Sequence, residues 1–281
     1  CSSDLGGRLL KTLFVSDLDG TLLTSAENIS PYSLEKLNAM IDGGMPFTYA
    51  TARSLNSAAK AVWGLRQNLP VILYNGAVIM EPSSGSMLYN NPFNAGQREY
   101  IRSLLQKYGL SPLVYSFQKG RELVSWERGR ETEGMLRYLA RRRGDARLHP
   151  VDSESALYEG DIFYFTCIDE KARLDGLQQS VQTSLDLKTI FEQETYRTDW
   201  WCEIMPAATS KGNAARALKE IAGAERLVVF GDGVNDFSLF EAADESYAVQ
   251  NADDRLKAMA SGVIGFSEED AVAKFLSTYE K

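Results

Sequence analysis

Carboxylates that could do chemistry lie directly after an apolar run near the start of the chain. Asp17 and Asp19 follow residues 12–16, whose β-branched and aromatic side chains are typical of a buried parallel strand. Because side chains of an extended chain alternate between faces, we expect the two acids to share one small site. Like charges about 4 Å apart repel by about 4 kcal/mol at an effective dielectric of about 20, so such a site favours a cation or a proton. Taken alone, the motif is equally compatible with an exposed acidic turn.

A second acidic loop, Gly-Asp-Gly-Val-Asn-Asp at 231–236, follows another apolar run at 227–230. In open α/β sheets, ligands bind beyond the carboxyl ends of the strands, so Asp232 and Asp236 are expected to join the first pair of acids. Oxygen donors with room for water and a phosphate oxygen indicate Mg²⁺ rather than zinc. A glycine-rich turn leading into a helix is the simpler explanation of this loop considered by itself.

Polar and cationic side chains that suit a phosphate lie at further element ends. Thr51 and Arg53 follow the second strand-like run, and threonine is a compact donor while arginine is a planar, multi-donor one. Thr51 could instead cap the helix that follows. Lys211 lies in the first turn of a helix, which is unfavourable for the helix dipole and therefore calls for an acidic partner. Asn235 adds an amide to the second acidic loop.

The elements that must position these residues alternate between strand and helix up to about residue 91, and again from 202. Residues 92–201 have a different, α+β pattern with strands and helices of their own. We therefore predict a discontinuous α/β core formed by 1–91 and 202–281, with a domain inserted at 92–201. Core strands are predicted at 12–16, 46–50, 71–74, 78–80, 87–89, 227–230, 247–249 and 263–264. Helices are predicted to start near 31, 211, 237 and 271, and a further helix runs through 58–62.

Composition restricts the functional class. The 281 residues are 44% hydrophobic and 24% charged, as in globular proteins, and the formal charge is −8. A nucleic-acid partner is not expected, because binding a phosphate backbone requires a basic face. The one short basic run, 141–143, is interpreted as a solvated helix end. No stretch approaches the roughly 18 apolar residues of a membrane span, so we expect a soluble chain without a membrane partner.

The cysteines and the single histidine are not arranged for chemistry. Cys1, Cys167 and Cys202 lack metal-ligand spacing and are odd in number, which favours a reducing, cytoplasmic location. Cys1 could be the residue exposed when a lipoprotein signal is removed, but a remnant of expression is the preferred interpretation. A Ser-His-Asp triad could be built only around His149, which lies in a polar, arginine-flanked stretch and is not expected to be catalytic.

The clusters resemble, in order, the four motifs of the haloacid dehalogenase superfamily and, within it, the Cof-like phosphatases. These are 17–21 (Asp-Leu-Asp-Gly-Thr), 51–53 (Thr-Ala-Arg), 210–212 (Ser-Lys-Gly) and 231–236. The resemblance covers roughly 11–90 and 202–281 and implies a Rossmann-like parallel-sheet core with an inserted α+β cap. The segment between the second and third motifs is long enough to contain that cap, whereas the segment between the first and second motifs is too short. Ala52 departs from the glycine that is common at its position.

The resemblance also implies roles for individual residues. Asp17 would attack phosphorus and form an aspartyl-phosphate, and Asp19 would act as acid and then as base. Mg²⁺ would be held by Asp17, the Asp19 backbone carbonyl and Asp232, with Asp236 adjacent. The phosphoryl oxygens would be bound by Thr51, Lys211 and Asn235, and the second motif would also place Ala52 and Arg53 at the phosphate or substrate.

The implied function is hydrolysis of small phosphorylated metabolites, with sugar phosphates as the expected substrates and the cap closing over the site. An acid two residues after the nucleophile favours a phosphatase over a dehalogenase of the same superfamily. A phosphomutase or phosphotransferase of this superfamily, in which a second sugar accepts the phosphoryl group, is the alternative. A non-enzymatic phospho-switch of the receiver kind also uses strand-end acids, but receivers are far shorter and have no inserted domain. The sequence leaves the oligomeric state open, and a monomer is compatible with it.

Overall fold

The computed structural model describes residues 11–193 and 198–279 of the chain, so the expectation about Cys1 lies outside the described residues. The chain divides into two compact units, one made of the segments up to Tyr89 and from Ser210 onward, the other of Asn90–Thr209. Among the described residues, none of the helices combines the length and the apolar character that a membrane crossing requires.

The first segment alternates strand and helix before it ends in a small antiparallel sheet. Ser30 caps the first helix by accepting a hydrogen bond from the Ser33 N–H at 3.0 Å, and Pro31 occupies the first helical position, as predicted. Its elements are β1 (Thr12–Ser16), α1 (Pro31–Asp42), β2 (Phe47–Tyr49), α2 (Leu55–Ala61), β3 (Val71–Leu73), β4 (Val78–Met80) and β5 (Met87–Asn90).

The second unit is built on one six-stranded sheet. Its elements are α3 (Ala95–Tyr108), β6 (Leu113–Gln118), β7 (Arg121–Glu127), α4 (Glu133–Ala140), β8 (Leu148–Val151), β9 (Asp161–Asp169), α5 (Lys171–Gln182), β10 (Leu187–Gln193) and β11 (Trp200–Pro206). The strand order is β10-β11-β9-β6-β7-β8, and all neighbours are antiparallel except β7 and β8. Apolar side chains of α3 and α5 pack with those of the sheet, so this unit has a hydrophobic core of its own.

The last segment returns to alternating helices and strands. Ser210 caps its first helix by accepting from the Asn213 N–H at 3.1 Å. Its elements are α6 (Lys211–Ile221), β12 (Arg226–Gly231), α7 (Phe237–Ala242), β13 (Glu245–Ala248), α8 (Asp254–Met259), β14 (Gly262–Val263) and α9 (Ala271–Thr278).

Strand β1 lies inside a parallel sheet of order β14-β13-β12-β1-β2. Phe14 is opposite Val228 on one side and Phe47 on the other, so β1 is flanked by a strand from each core segment. Parallel neighbours end at the same edge, and the loops after β1, β2 and β12 therefore converge. Leu13 and Val15 of β1 are fully buried, so this strand lies in the hydrophobic core of its unit.

Two features differ from the sequence-based expectation. Strand β3, expected to continue the parallel rhythm, pairs antiparallel with β4 and joins the main sheet only through a parallel bridge from Ala50 to Ile72. The predicted boundary between 201 and 202 falls inside β11, which is hydrogen-bonded to β9 and β10, and the chain divides after Thr209 instead. Burial does not mark the boundary between the units, because Met205 of β11 is as buried as the residues of the core.

Candidate functional site

Asp17 follows β1 directly and is buried, with 4% of its surface exposed. The next residues form a tight helical turn at Leu18–Leu22, in which Gly20 has a φ of +79°. A Cβ on Gly20 would lie 2.3 Å from Oδ2 of Asp232. Glycine therefore satisfies two requirements here, the left-handed backbone and the close approach of the second acidic loop.

Lys211 is the first residue of α6, and its ammonium lies between two acids. Nζ donates to Oδ1 of Asp17 at 2.5 Å and to Oδ1 of Asp236 at 2.7 Å, and the lysine is 1% exposed. The sequence predicted that a lysine in the first turn of a helix needs an acidic partner, and the structure provides two, Asp17 and Asp236. The backbone at Gly76, with φ of +93°, packs on the start of this helix, where an added Cβ would lie 2.1 Å from the Ser210 carbonyl oxygen.

Asp236 organises the loop after β12 and is fully buried. Its Oδ2 accepts hydrogen bonds from the N–H groups of Asp232 at 3.0 Å and Gly233 at 3.1 Å, while Oδ1 accepts from Lys211. Both oxygens are therefore engaged by the protein. Asp232 itself accepts a hydrogen bond from the Thr21 hydroxyl at 3.1 Å and is only partly buried.

One carboxylate oxygen from each of Asp17, Asp232 and Asp236 lies within 4.8 Å of the other two, and we call these residues the three-carboxylate cluster. Burial raises the pKa of Asp17 well above its usual range, Lys211 opposes that shift and Asp236 adds to it. The pKa of Asp232 is raised by burial and by Asp236. Burial lowers the pKa of Lys211, but its two acids outweigh burial and the net shift is upward. Three acids around one lysine leave an excess of negative charge, which fits a divalent cation with oxygen ligands.

Asp19 is not part of this cluster. Strand β1 ends at Ser16 and the helical turn starts two residues later, so the alternation that would place both acids on one side does not persist. The side chain of Asp19 is about half exposed and accepts two hydrogen bonds from Arg53, from Nε at 2.8 Å and from a terminal nitrogen at 2.5 Å. The same terminal nitrogen of Arg53 donates to Glu27 at 3.1 Å. The expectation of one small site shared by Asp17 and Asp19 is therefore wrong for the side chains.

Thr51 is fully buried after β2, and its hydroxyl accepts from the Arg53 N–H at 3.1 Å. It does not cap α2, because Ser54 does so by accepting from the Ser57 N–H at 3.4 Å. The capping interpretation of Thr51 is thus wrong. Ala52, between the two polar residues of this motif, is exposed.

Asn235 is exposed, and its amide donates to Oδ1 of Asn75 at 3.3 Å. Asn75 is buried, has a φ of +54° and donates its backbone N–H to the Thr51 carbonyl at 3.0 Å. Asn75 was assigned no functional role from the sequence, although an Asn-Gly pair at a strand end is a signal for a left-handed backbone there. Glu27, which binds Arg53, carries no motif and was missed.

A strand-end cluster of acids and a lysine, on a parallel sheet interrupted by an inserted unit, defines a phosphoryl-transfer type of site. A family model described as haloacid dehalogenase-like hydrolase matches residues 14–276. The chain therefore belongs to the haloacid dehalogenase-like hydrolases, and the family expected from its four motifs is confirmed.

Similar proteins support this assignment over nearly the whole length. The 5-amino-6-(5-phospho-D-ribitylamino)uracil phosphatase of Bacillus subtilis is 24% identical and the alignment covers 92% of this chain and 95% of that protein. The pyridoxal phosphate phosphatase of Escherichia coli is also 24% identical, with 94% and 96% covered. A solved structure from Thermotoga maritima matches with a TM-score of 0.77 at 25% identity, covering 97% and 98%. The predicted fold class and the predicted enzyme class, a phosphatase, are confirmed.

Proposed function

We propose that the protein is a Mg²⁺-dependent phosphatase that hydrolyses small phosphorylated metabolites through an aspartyl-phosphate on Asp17. The observation that carries this proposal is the pairing of Asp17 with the buried Lys211, next to the other two acids of the three-carboxylate cluster. One oxygen of Asp17 is held by the ammonium, so the nucleophile has a fixed orientation. Positive charge beside it reduces repulsion between the carboxylate and a phosphate dianion.

In the first step, an oxygen of Asp17 attacks phosphorus, and the bond from phosphorus to the alcohol oxygen breaks as the new bond forms. Asp19 supplies the proton that the leaving oxygen takes up. Lys211 balances the charge of the phosphoryl group during transfer, which is the main contribution a protein can make to this slow reaction. The carboxylates of Asp17 and Asp232 and the Asp19 backbone carbonyl would hold Mg²⁺, with Asp236 adjacent, and the bound ion would neutralise the transferring oxygens.

In the second step, water attacks the same phosphorus and gives a proton to Asp19, while the bond between phosphorus and Asp17 breaks. The carboxylate is regenerated and inorganic phosphate leaves. We propose that Thr51, Lys211 and Asn235 bind the phosphoryl oxygens. Thr51 and Asn235 follow β2 and β12, whose carboxyl ends meet at this edge of the sheet, and Lys211 reaches the same edge through its contact with Asp17. Ala52 is exposed and would contribute its backbone to the same loop.

The proposed substrates are phosphate monoesters of small metabolites, with sugar phosphates as the first candidates. Two similar proteins are named for substrates that carry a nitrogen heterocycle, so those compounds belong in the same comparison. We propose that the inserted unit, 92–201 in the sequence-based division, selects among them. The buried free thiols Cys167 and Cys202 suit the reducing cytoplasm, which we keep as the proposed location.

The test is a phosphate-release assay over sugar phosphates, nucleotides, flavin mononucleotide and pyridoxal phosphate, with Mg²⁺, with Ca²⁺ and with EDTA. Activity should disappear in EDTA and return with Mg²⁺, whereas the larger Ca²⁺ should restore it poorly. Full turnover in EDTA would contradict the metal assignment. Brief incubation with acetyl phosphate should add about 80 Da to Asp17, the mass of one phosphoryl group on a nucleophilic carboxylate, and Asp17→Asn should abolish the label.

A further inference from the structure

The contacts of Arg53 bear on a role that the four motifs do not assign. Its guanidinium meets both oxygens of the Asp19 carboxylate, at 2.8 and 2.5 Å. Two parallel N–H···O bonds of this kind fix the plane of a carboxylate as well as its position. The side chain of Arg53 is 17% exposed, whereas that of Asp19 is 49% exposed. The more exposed partner is thus held by the more buried one.

Arg53 is held in turn by Glu27. Oε2 of Glu27 accepts a hydrogen bond at 3.1 Å from the terminal nitrogen that also binds Asp19. Glu27 has a φ of +56°, a left-handed conformation that is uncommon for residues other than glycine. Its turn is closed by the Glu27 N–H, which donates to the Thr24 carbonyl at 2.9 Å, and by the Thr24 N–H, which donates to the Asn28 carbonyl at 2.9 Å. The turn therefore determines where the carboxylate of Glu27 is presented.

We propose that Arg53 and Glu27 are positioning residues for Asp19: Glu27 holds the guanidinium, and the guanidinium holds the Asp19 carboxylate where it accepts a proton from the attacking water. This inference rests on the proposed function. An arginine fork that donates to both oxygens holds the Asp19 carboxylate in one orientation, which is the effect that a positioning residue must have. Among the described residues, the other terminal nitrogen of Arg53 donates only to the Ser57 hydroxyl, at 3.5 Å, so direct contact with phosphate, the role expected from the motif, would use that nitrogen.

The step concerned is hydrolysis of the aspartyl-phosphate. The water oxygen forms a bond to phosphorus, the bond from phosphorus to the Asp17 oxygen breaks, and the water proton moves to Asp19 and then to solvent. Acetyl phosphate isolates this step because its leaving group needs little protonation when Asp17 is phosphorylated. Substituting a residue that acts through Asp19 should then slow the loss of the phosphoryl group from Asp17 but leave the rate of its formation unchanged.

The experiment measures how fast the phosphoenzyme disappears after acetyl phosphate is removed, together with kcat and KM for the same substrate. Arg53→Lys keeps the charge but loses the fork, and it should slow the decay of the label about tenfold with kcat/KM unchanged. Glu27→Gln should slow it about two- to fivefold, the range expected for a solvent-exposed ion pair. Glu35→Gln is the matched control, since its side chain is 77% exposed compared with 74% for Glu27, and it should change nothing.

A second arm combines each substitution with Asp19→Asn. If Arg53 acts through Asp19, Arg53→Lys should cost nothing further once that carboxylate is gone. An unchanged decay rate with a raised KM would overturn the proposal and make Arg53 a phosphate ligand, and so would losses that add in the double variant. Asp19→Asn protein that never carries phosphate on Asp17 would overturn the proposed function itself, a result seen before any variant of Arg53 or Glu27 is compared.

Discussion

Replacing Lys211 with methionine should destabilise the core unit far more than a lost surface charge would. Met keeps the length and apolar stem of the side chain but removes the ammonium that lies 2.5 Å from Asp17 and 2.7 Å from Asp236. The carboxylates would then face one another in a buried site without a cation. We expect the free energy of unfolding to fall by about 3–5 kcal/mol, the usual cost of removing one partner of a buried ion pair.

Two changes should restore part of the stability that Lys211→Met loses. Mg²⁺ binding to the folded protein should return about 2.7 kcal/mol at a concentration one hundred times its Kd. Adding Asp236→Asn to Lys211→Met removes one of the unpaired charges and should give a protein more stable than Lys211→Met alone. Activity should not recover, since kcat/KM is expected to fall on the order of 10²-fold or more when this electrostatic contribution is lost.

Hydrogen exchange of peptides covering β1 and β12 measures this stability, because a chain of two units has no single unfolding free energy. Lys219→Met is the control on the same helix, where a more exposed lysine pairs with Asp244 at 3.0 Å and the expected cost is about 0–1 kcal/mol. Equal protection in Lys211→Met and Lys219→Met would refute the reasoning. So would a double variant that is less stable than Lys211→Met.

Three further predictions concern other parts of the chain. Burial raises the pKa of Glu203 from 4.5 to about 7, so the folded protein loses stability as the pH rises from about 4.5 through 7. Hydrogen exchange of peptides from β11 should therefore show Glu203→Gln more stable than wild type by about 3 kcal/mol at pH 8 and by less than about 1 kcal/mol at pH 5. Burial also raises the pKa of both Cys167 and Cys202, so iodoacetamide at pH 8 should label neither in the folded protein and both in urea, as read by peptide mass. Gly76→Ala should lower stability by well over 1 kcal/mol and reduce activity, whereas Gly85→Ala, also at positive φ but with open space around it, should show only the smaller backbone cost.

Local patterns predicted much of the fold because single elements carry local signals. The apolar run of β1 indicates a buried strand by itself. The serine and proline at the start of α1 and the serine cap of α6 indicate where those helices begin, because each depends on hydrogen bonds within a few residues. The acids and the lysine were found because they follow such elements directly. Their convergence followed from the rule that parallel strands end at a common edge.

Contacts between distant segments could not be predicted in the same way. The pairing of Arg53 with Asp19 depends on a helical turn that begins only two residues after β1, and no periodicity shows that break. Glu27 reaches the same guanidinium from a turn that has no glycine or proline signal at its left-handed position. The boundary between the two units was placed too early, at 201/202, because the sequence of a buried strand is similar in either unit.

The position of the second unit between the two core segments affects the order in which the two units can fold during synthesis. Strand β1 emerges first but gains its partner β12, and Asp17 gains Lys211, only after 90–209 has been made. Residues 90–209 are continuous and have their own core, so we expect them to fold while the earlier segment still waits for its central neighbour. Limited proteolysis of ribosome-stalled chains that end before β12 should find this unit protected and β1 accessible. A chain made only as far as residue 209 lacks the contact between Asp17 and Lys211, so we expect it to have no hydrolase activity.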